Sequence, residues 1–315
     1  MKALRIGTRG SPLARWQAHA VGAAITRAGG PPAEIVTIKT TGDRLAQAVL
    51  AEVGGKAVFV KEIEEALRRG TVDVAVHSAK DLPGSLPAGL CIRAVLPRED
   101  PRDAVTLPAA RMGKEIEDPS SLIHSVEAQP RIGTGSVRRV AQLSRKFPDA
   151  RFEQIRGNVG TRLRKLDEGQ YDLLVLAAAG LVRLGLAHRI SGRLSFDQCM
   201  PAPGQGIVAI EAREDDRATT EVLAAVNDPL AMAALKAERA LLVALGGDCH
   251  VPIGGVATSE GTNLTLRAIV ASVDGSRVLR EYQRGKTSEP TRLGRQVADV
   301  LIREGAADII AEHRS

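Results

Sequence analysis

Short apolar runs alternate with helically spaced apolar residues over the first hundred positions of the chain. The run at 3–6 predicts a strand, and the apolar positions after Ser11-Pro12 recur at the spacing of an amphipathic helix. Ser11 is a favourable N-cap, Pro12 suits the first helical turn, and Gly29-Gly30 ends the helix. Further strands are predicted at 34–39 and 73–76, with a helix at 58–69. Such alternation favours an α/β unit with a parallel sheet that binds ligands at the carboxyl ends of its strands.

The chain then repeats this pattern. The segment 131–136, RIGTGS, echoes 5–11, RIGTRGS, and 169–175, GQYDLLV, echoes 70–76, GTVDVAV. Because both echoes come in the same order with helices between them, two similar lobes are favoured over a chance likeness of glycine turns. Proline-rich stretches near 100 and 203 predict two crossovers that form a hinge between the lobes.

A third, smaller unit is predicted beyond the second crossover. Helical spacing covers most of 215–245, with Asp228-Pro229 as a helix start, and strand patterns follow over 251–284 before a last helix at 292–304. The predicted fold is therefore two similar α/β lobes and a small α+β C-terminal domain. The predicted bounds are 1–103 with 204–225 for the first lobe, 104–203 for the second lobe and 226–315 for the C-terminal domain.

Composition narrows the class of protein. The chain has 43 Lys and Arg against 37 Asp and Glu, a net charge of +6, which favours an anionic partner of unspecified kind. Aromatic residues are only 2%, which argues against base-stacking surfaces for nucleic acid. No apolar run approaches the roughly 18 residues of a membrane span, and no signal-peptide pattern follows Met1. Three cysteines without a metal-binding spacing predict a cytoplasmic protein and no metal site.

Anion-binding sites are predicted where strands lead into helices. Ser11 and Ser136 each begin a predicted helix, where backbone N–H groups and the helix dipole favour an anion. Arg138 and Arg139 lie in the first turn of the second helix, where a cation is unfavourable unless an anionic ligand is bound. A solvated surface pair is the alternative at any one site. Further cations at glycine turns or strand ends are Arg9, Lys56, Arg156, Arg162 and Arg183.

Asp81 follows a predicted buried strand directly and precedes Leu82-Pro83-Gly84. One interpretation is a turn aspartate that only shapes the chain. The other is a functional carboxylate among cations, which could stabilise positive charge on a substrate or take part in proton transfer. The residue pattern leaves both open.

The three cysteines differ in context. Cys91 lies in an alternating strand and Cys199 beside the second crossover, whereas Cys249 lies in the loop LGGDCHVPIGG at 245–255. A Cys–His hydrolase is a poor fit, because consecutive side chains diverge and Asp248 disfavours a thiolate. Cys249 is instead predicted to be an attachment point that reacts once with a strong electrophile.

Six segments of the chain resemble the hydroxymethylbilane synthase (porphobilinogen deaminase) family. They are TRGSPLA at 8–14, GGK at 54–56, HSAKDLP at 77–83, RGNVGTR at 156–162, PGQG at 203–206, and Cys249 with VPIG at 251–254. The matches run in order across nearly the whole chain.

The resemblance implies a monomeric, cytoplasmic transferase of heme biosynthesis whose first two lobes are similar to periplasmic binding proteins. It implies a dipyrromethane cofactor joined to Cys249 by a thioether. Four porphobilinogen molecules would condense head to tail on this primer, each releasing ammonia, before water releases the linear tetrapyrrole. The partners would be porphobilinogen and the growing oligopyrrole, whose acetate and propionate groups account for an arginine-rich cleft.

The resemblance also assigns residues. Asp81 would stabilise the azafulvenium cation left when ammonia departs and would contact pyrrole N–H groups. Cofactor carboxylates would be held by Lys80, Ser136, Arg138 and Arg139, and the outer ring and substrate by Arg9, Ser11, Arg156 and Arg162, with Lys56 and Arg183 as further members. Two positions depart from the family pattern, since Asp248 replaces a common Gly and Gly135 replaces a common hydroxyl residue.

Two other classes share some of these features. An exported binding protein for an anionic metabolite would have two lobes and a basic cleft, but would need neither a third domain nor Cys249. A nucleic-acid-binding protein would share the positive charge, and a steep salt dependence of DNA binding would favour it.

Overall fold

The computed structural model describes residues 2–40, 60–113, 115–119, 121, 123, 126, 128–246 and 251–314, and these form three sheets. The strands are β1 Leu4–Arg9, β2 Ala33–Ile38, β3 Val74–Ser78, β4 Leu90–Val95, β5 Asp103–Thr106, β6 Arg131–Gly133, β7 Arg151–Glu153, β8 Leu173–Ala177, β9 Gly192–Arg193, β10 Val208–Arg213, β11 Ile253–Glu260, β12 Asn263–Ala271 and β13 Val278–Lys286. The helices are α1 Pro12–Arg27, α2 Lys61–Arg68, α3 Val137–Leu143, α4 Val159–Asp167, α5 Ala178–Arg183, α6 Arg217–Ala224, α7 Pro229–Ala244, α8 Pro290–Arg303 and α9 Ala306–Arg314.

Two of the sheets have the same plan, which confirms the prediction of two similar lobes. The first lobe has the order β2-β1-β3-β10-β4 and the second has β7-β6-β8-β5-β9. In each, three strands are parallel, and the next strand, β10 or β5, is antiparallel to both of its neighbours. The predicted parallel sheet is therefore correct for three strands of each lobe, and the complete sheet is mixed. The chain returns from the other lobe at the carboxyl ends of the parallel strands, so the strand that it then forms must run the opposite way.

The repeated sequence has a repeated structural role at the start of the strands. Arg5 donates from its backbone N and its guanidinium to Asp73 at 2.8 and 2.7 Å, and Arg131 does the same to Asp172 at 2.7 and 2.9 Å. Each guanidinium also donates to the carbonyl oxygen of the glycine three residues before the aspartate, Gly70 for Arg5 and Gly169 for Arg131. Both pairs join the first strand of a lobe to the segment that leads into its neighbour.

The helix α1 begins and ends as the sequence predicts. The hydroxyl of Ser11 accepts from the backbone N of Ala14 at 3.3 Å, and Pro12 opens the first turn. The helix buries Val21 and Ile25 completely against the sheet of the first lobe. Each such side chain contributes roughly 1.5–3 kcal/mol relative to an exposed position.

The two crossovers pair with each other between the lobes. The backbone N of Leu96 donates to the carbonyl of Val208 at 3.2 Å, and that of Glu99 donates to Gly206 at 3.0 Å. Gly206 has a φ of +86°, and a Cβ there would lie 2.3 Å from the carbonyl oxygen of Glu99. Only glycine permits this close approach.

The third sheet, β11-β12-β13, is antiparallel and packs on α7 and α8, as the predicted α+β C-terminal domain requires. The final helix α9 was not predicted. Glu238 of α7 is completely buried and accepts from Arg98 at 2.5 Å, from the backbone N of Gly204 at 2.5 Å and from that of Ala257 at 2.7 Å. One carboxylate therefore joins both crossovers to the C-terminal sheet.

Candidate functional site

Charged residues of both lobes meet where the parallel strands end. Lys80 and Asp81 lie in a single 3-10 turn directly after β3 of the first lobe. Arg138 and Arg139 lie in α3, which follows β6 of the second lobe, and Arg162 lies in α4. We call the space bordered by these five residues the cleft. The sequence predicts that strand ends of both lobes face each other here, and electrostatic and hydrogen-bond contacts between the lobes fit that arrangement.

Asp81 and Arg162 interact across the cleft. Burial and the neighbouring Arg139 guanidinium lower the pKa of Arg162 and the negative charge of Asp81 raises it, with a net pKa of about 10. Arg162 therefore stays charged at neutral pH. Its Nε donates to the carbonyl oxygen of Gly157 at 2.7 Å, and Gly157 has a φ of +111°. This turn fixes the direction of the arginine.

Arg138 and Arg139 bind a buried carboxylate of the chain itself. Their guanidiniums donate to Oδ2 and Oδ1 of Asp103 at 2.8 and 2.7 Å. Both arginines are 5% exposed and Asp103 is 0% exposed. Burial by itself would raise the pKa of Asp103, but the two guanidiniums hold it well below its ordinary value.

The structure thus corrects one step of the sequence argument. Two cations in the first turn of α3 do not by themselves require an external anion, because Asp103 already compensates them. Sequence reasoning missed Asp103. The available signal was a charged residue at the start of the apolar stretch Asp103–Thr106, all of which is buried.

A hydrogen-bonded link joins Asp103 to the first lobe. The amide of Gln205 donates to Oδ1 of Asp103 at 2.8 Å and to the carbonyl oxygen of Pro101 at 2.7 Å, and its own oxygen accepts from Nζ of Lys80 at 3.3 Å. Gly204 has a φ of +79°, and a Cβ there would lie 2.9 Å from the backbone N of Lys80. The PGQG segment therefore packs directly against the turn that carries Lys80.

The predicted helix starts have different outcomes. The side chain of Asn158 caps α4, since it accepts from the backbone N of Thr161 at 2.9 Å. Ser136 begins α3 as predicted and occupies its N-cap position, but its side chain makes no capping hydrogen bond. Beside it, a Cβ on Gly135 would lie 3.0 Å from the carbonyl oxygen of Ile155, so a larger residue would force that carbonyl to move.

Arg183 lies at the junction of the lobes. It is 9% exposed, donates to the carbonyl oxygen of Gly206 at 2.7 Å and lies 5.7 Å from the ring centroid of Trp16 in α1. Burial lowers its pKa. Arg183 thus contacts the first lobe and the second crossover at once.

The other predicted binding residues differ in exposure. Arg156 is exposed and donates to the side chain of Gln154 at 3.3 Å. Arg9, at the end of β1, and Ser11, which caps α1, are partly buried. Lys56 lies outside the described residues.

Cys249 and its neighbour Asp248 also lie outside the described residues, but the segments on either side are described. The helix α7 ends at Ala244, and the chain resumes at Val251, which is buried. The backbone N of Gly255 donates to the carbonyl oxygen of Pro201 at 2.8 Å, and a Cβ on Gly254 would lie 2.9 Å from the side chain of Met200. The segment that follows the loop therefore packs on the second crossover.

The two described thiols are poor nucleophiles. Burial raises the pKa of Cys199 to about 12, and the adjacent Asp103 carboxylate contributes to this rise. Burial likewise raises the pKa of Cys91. Because the thiolate is the reactive form, neither is suited to attack an electrophile.

The described part of the chain contains neither a cluster of metal ligands nor a membrane-spanning helix. No group of three or more His, Cys, Asp or Glu side chains there could hold a metal ion. Among the helices that the structure describes, none has the length and apolar character to cross a bilayer.

Comparison with solved structures gives matches of low similarity. The VFT2 domain of Bordetella pertussis BvgS has a TM-score of 0.41 at 13% identity and covers 71% of this chain and 86% of its own. A periplasmic sulfonate-binding protein from Methylobacillus flagellatus has a TM-score of 0.36 at 14% identity, over 76% of this chain and 67% of its own. At such scores these likenesses support no conclusion about this chain.

Sequence comparisons are decisive. Residues 4–221 match the family model of the porphobilinogen deaminase dipyrromethane cofactor binding domain, and residues 232–303 match that of the porphobilinogen deaminase C-terminal domain. The porphobilinogen deaminase of Acidithiobacillus ferrooxidans is 48% identical over 99% of this chain and 98% of its own, and that of Moorella thermoacetica is 43% identical over 98% and 96%. The chain therefore belongs to the porphobilinogen deaminase family, transferases of tetrapyrrole biosynthesis that make hydroxymethylbilane from porphobilinogen with a dipyrromethane cofactor.

Proposed function

We propose that the cleft holds the cofactor and the growing oligopyrrole, and that Asp81 catalyses each condensation. The observation that carries this proposal is the position of Asp81, in the turn that follows β3 of the first lobe, where its charge acts on Arg162 of the second lobe. A single carboxylate there faces cations from both lobes, which suits a polyanionic chain whose reacting carbon becomes positively charged.

The donor set fits a dipyrromethane with several carboxylates. Among the residues that the structure describes, the buried Nε atoms of Arg138 and Arg139 have no hydrogen-bond partner, so each arginine keeps a donor beyond those used by Asp103. Guanidinium groups bind carboxylates strongly and with defined geometry. We assign Lys80, Ser136, Arg138 and Arg139 to the cofactor carboxylates. Arg9, Ser11, Arg156 and Arg162 are assigned to the outer ring and the substrate, with Lys56 and Arg183 as further members.

Catalysis in this proposal is mainly electrostatic. When bound, the cofactor supplies the pyrrole carbon to which the first porphobilinogen is joined. As the aminomethyl group of porphobilinogen leaves as ammonia, positive charge develops on the remaining carbon, and the Asp81 carboxylate stabilises it. The same carboxylate accepts a hydrogen bond from a pyrrole N–H. Arg162 and its neighbours orient the substrate carboxylates, which positions the reacting carbon for attack.

Cys249 is proposed to carry the cofactor through a thioether. The raised pKa values of Cys91 and Cys199 argue against either of them as the attachment point. The described residues that follow position 250 pack on the second crossover.

The predicted bounds, a first lobe of 1–103 with 204–225, a second of 104–203 and a C-terminal domain of 226–315, remain proposals. They are supported by the composition of the three sheets, except that β5 begins at Asp103, which therefore belongs to the second lobe. The monomeric state and the cytoplasmic location are carried over from the family resemblance.

Intact mass and turnover test these assignments together. We expect the purified protein to be heavier than its sequence by two linked pyrroles, and Cys249→Ala to abolish the excess while Cys91→Ala keeps it. Asp81→Ala should keep the fold and the added mass but nearly stop elongation. Material that makes tetrapyrrole at the bare sequence mass would disprove the attachment, and near-normal turnover of Asp81→Ala would leave Asp81 a turn residue.

A further inference from the structure

Asp103 connects the proposed cofactor-binding groups of the two lobes. Its Oδ2 accepts from Arg138 at 2.8 Å and from the thiol of Cys199 at 3.3 Å. Its Oδ1 accepts from Arg139 at 2.7 Å and from Gln205 at 2.8 Å, and Gln205 in turn accepts from Lys80 of the first lobe. Cations on opposite sides of the cleft are thus held by one fully buried carboxylate.

We propose that Asp103 is a positioning residue that sets the geometry of Lys80, Arg138 and Arg139 for the carboxylates of the cofactor. This inference rests on the proposed function of those cations. Asp103 is 0% exposed, so it acts on the cofactor only through the residues that it holds. A buried, hydrogen-bonded carboxylate between two guanidiniums restrains both, because each oxygen is committed to one of them.

Asp103→Asn would break this arrangement while the size of the side chain stays nearly the same. All four groups around the carboxylate donate hydrogen bonds to it. An amide has only one accepting oxygen, so its NH2 group would face donors on one side. One guanidinium would lose its partner inside a buried site and would have to move.

A positioning role and a purely electrostatic role of Asp103 predict opposite changes in the loading of the primer when Asp103 is replaced by Asn. Removal of a negative charge beside a site for a polyanion raises the local positive potential, so electrostatics alone would favour loading of the primer. Displacement of the arginines would instead reduce loading, since misplacement by about 1 Å can cost on the order of 100-fold in rate. The direction of the change therefore distinguishes the two.

The experiment compares Asp103→Asn with Asp172→Asn as a matched control. Asp172 also pairs with an arginine of the second lobe, Arg131, but at the opposite ends of the strands. Intact mass gives the fraction of each purified protein that carries the primer, and steady-state kinetics give KM and kcat for porphobilinogen. Circular dichroism and thermal melts ensure that all measurements are made on folded protein.

We expect Asp103→Asn to lower the primer-bearing fraction or to raise KM by about 10-fold or more, and Asp172→Asn to change neither. Equal or greater loading of Asp103→Asn, with an unchanged KM, would overturn the inference. If the wild-type protein itself carries no primer, the proposed function fails, which is a different result.

A second variant covers the case in which Asp103→Asn does not fold. Gln205→Met keeps both ion pairs of Asp103 and removes the side-chain hydrogen bonds of Gln205 with Asp103, Lys80 and the carbonyl oxygen of Pro101. We expect it to fold and to raise KM by about 3- to 10-fold, the cost of one misdirected charged hydrogen bond. An unfolded Asp103→Asn together with an unchanged KM for Gln205→Met would overturn the proposal.

Discussion

Loss of charge at Glu238 should uncouple the hinge from the C-terminal domain. The carboxylate is fully buried, and each of its oxygens accepts from one backbone N and from the guanidinium of Arg98. Glu238→Gln keeps the size and the position of the side chain. Its NH2 group, however, must face the backbone N of either Gly204 or Ala257, because no orientation places an acceptor against both.

The magnitude follows from burial. The side chain of Arg98 is 13% exposed and that of Glu238 is 0%, so the variant leaves a largely buried guanidinium without its counter-charge. Removal of one partner of a buried pair costs about 3–5 kcal/mol. For a domain of roughly 150–250 residues, each kcal/mol lowers the midpoint of thermal unfolding by about 2–4 °C. The expected decrease is therefore roughly 6–20 °C.

Differential scanning calorimetry of both proteins measures this decrease. The matched control is Glu65→Gln, which breaks the ion pair of Glu65 with Arg69 on the surface of α2, where the two side chains are 47% and 70% exposed. That pair should contribute less than about 1 kcal/mol. A midpoint for Glu238→Gln within the range of the control would refute the reasoning that this carboxylate holds the crossovers and the C-terminal sheet together.

Two further results are expected from thermal melts. Gly206→Ala should lower the midpoint of thermal unfolding more than Gly89→Ala. Both glycines have a positive φ, +86° and +82°, which costs roughly 1–2 kcal/mol for alanine, but only at Gly206 would the new Cβ meet a backbone atom, the carbonyl oxygen of Glu99. Equal decreases in the two variants would contradict this reasoning. Burial, reinforced by Glu211, raises the pKa of Glu64, so its contribution to stability is present below the unfolded pKa and lost as pH rises through the folded pKa. Glu64→Gln should therefore lose less stability than the wild type between acid and neutral pH. Parallel plots of the melting midpoint against pH for the two proteins would contradict the raised pKa of Glu64.

The parts of the fold that depend on local chemistry were predictable from the sequence. Ser11 and Asn158 cap helices because their short polar side chains reach backbone N–H groups three residues ahead. The two lobes were recognisable from the repeated Gly-x-x-Asp and Arg-Ile-Gly segments. These segments recur because Arg5 with Asp73, and Arg131 with Asp172, make the same contacts.

The parts that depend on contacts distant in sequence were not predictable in this way. Asp103 and Arg138 are 35 positions apart, and nothing local to either residue indicates the other. The antiparallel direction of β5 and β10 follows from where the crossovers enter the sheets, which apolar spacing does not encode. Asp81 was identified from its place after a buried strand, but its proximity to Arg162 needed the arrangement of both lobes.

The repeat is kept at one end of the strands and lost at the other. At the starting ends, both lobes retain an Arg–Asp pair with the same contacts. At the carboxyl ends, the sequence echo that aligns Asp73 with Asp172 places Gly180 opposite Asp81 and Ala179 opposite Lys80. The first lobe therefore presents a carboxylate to the cleft, whereas the second lobe buries its carboxylate, Asp103, beneath two arginines. A similar backbone in each lobe is compatible with different charges at the cleft, because the pairs that stabilise the repeated strands lie at the opposite ends.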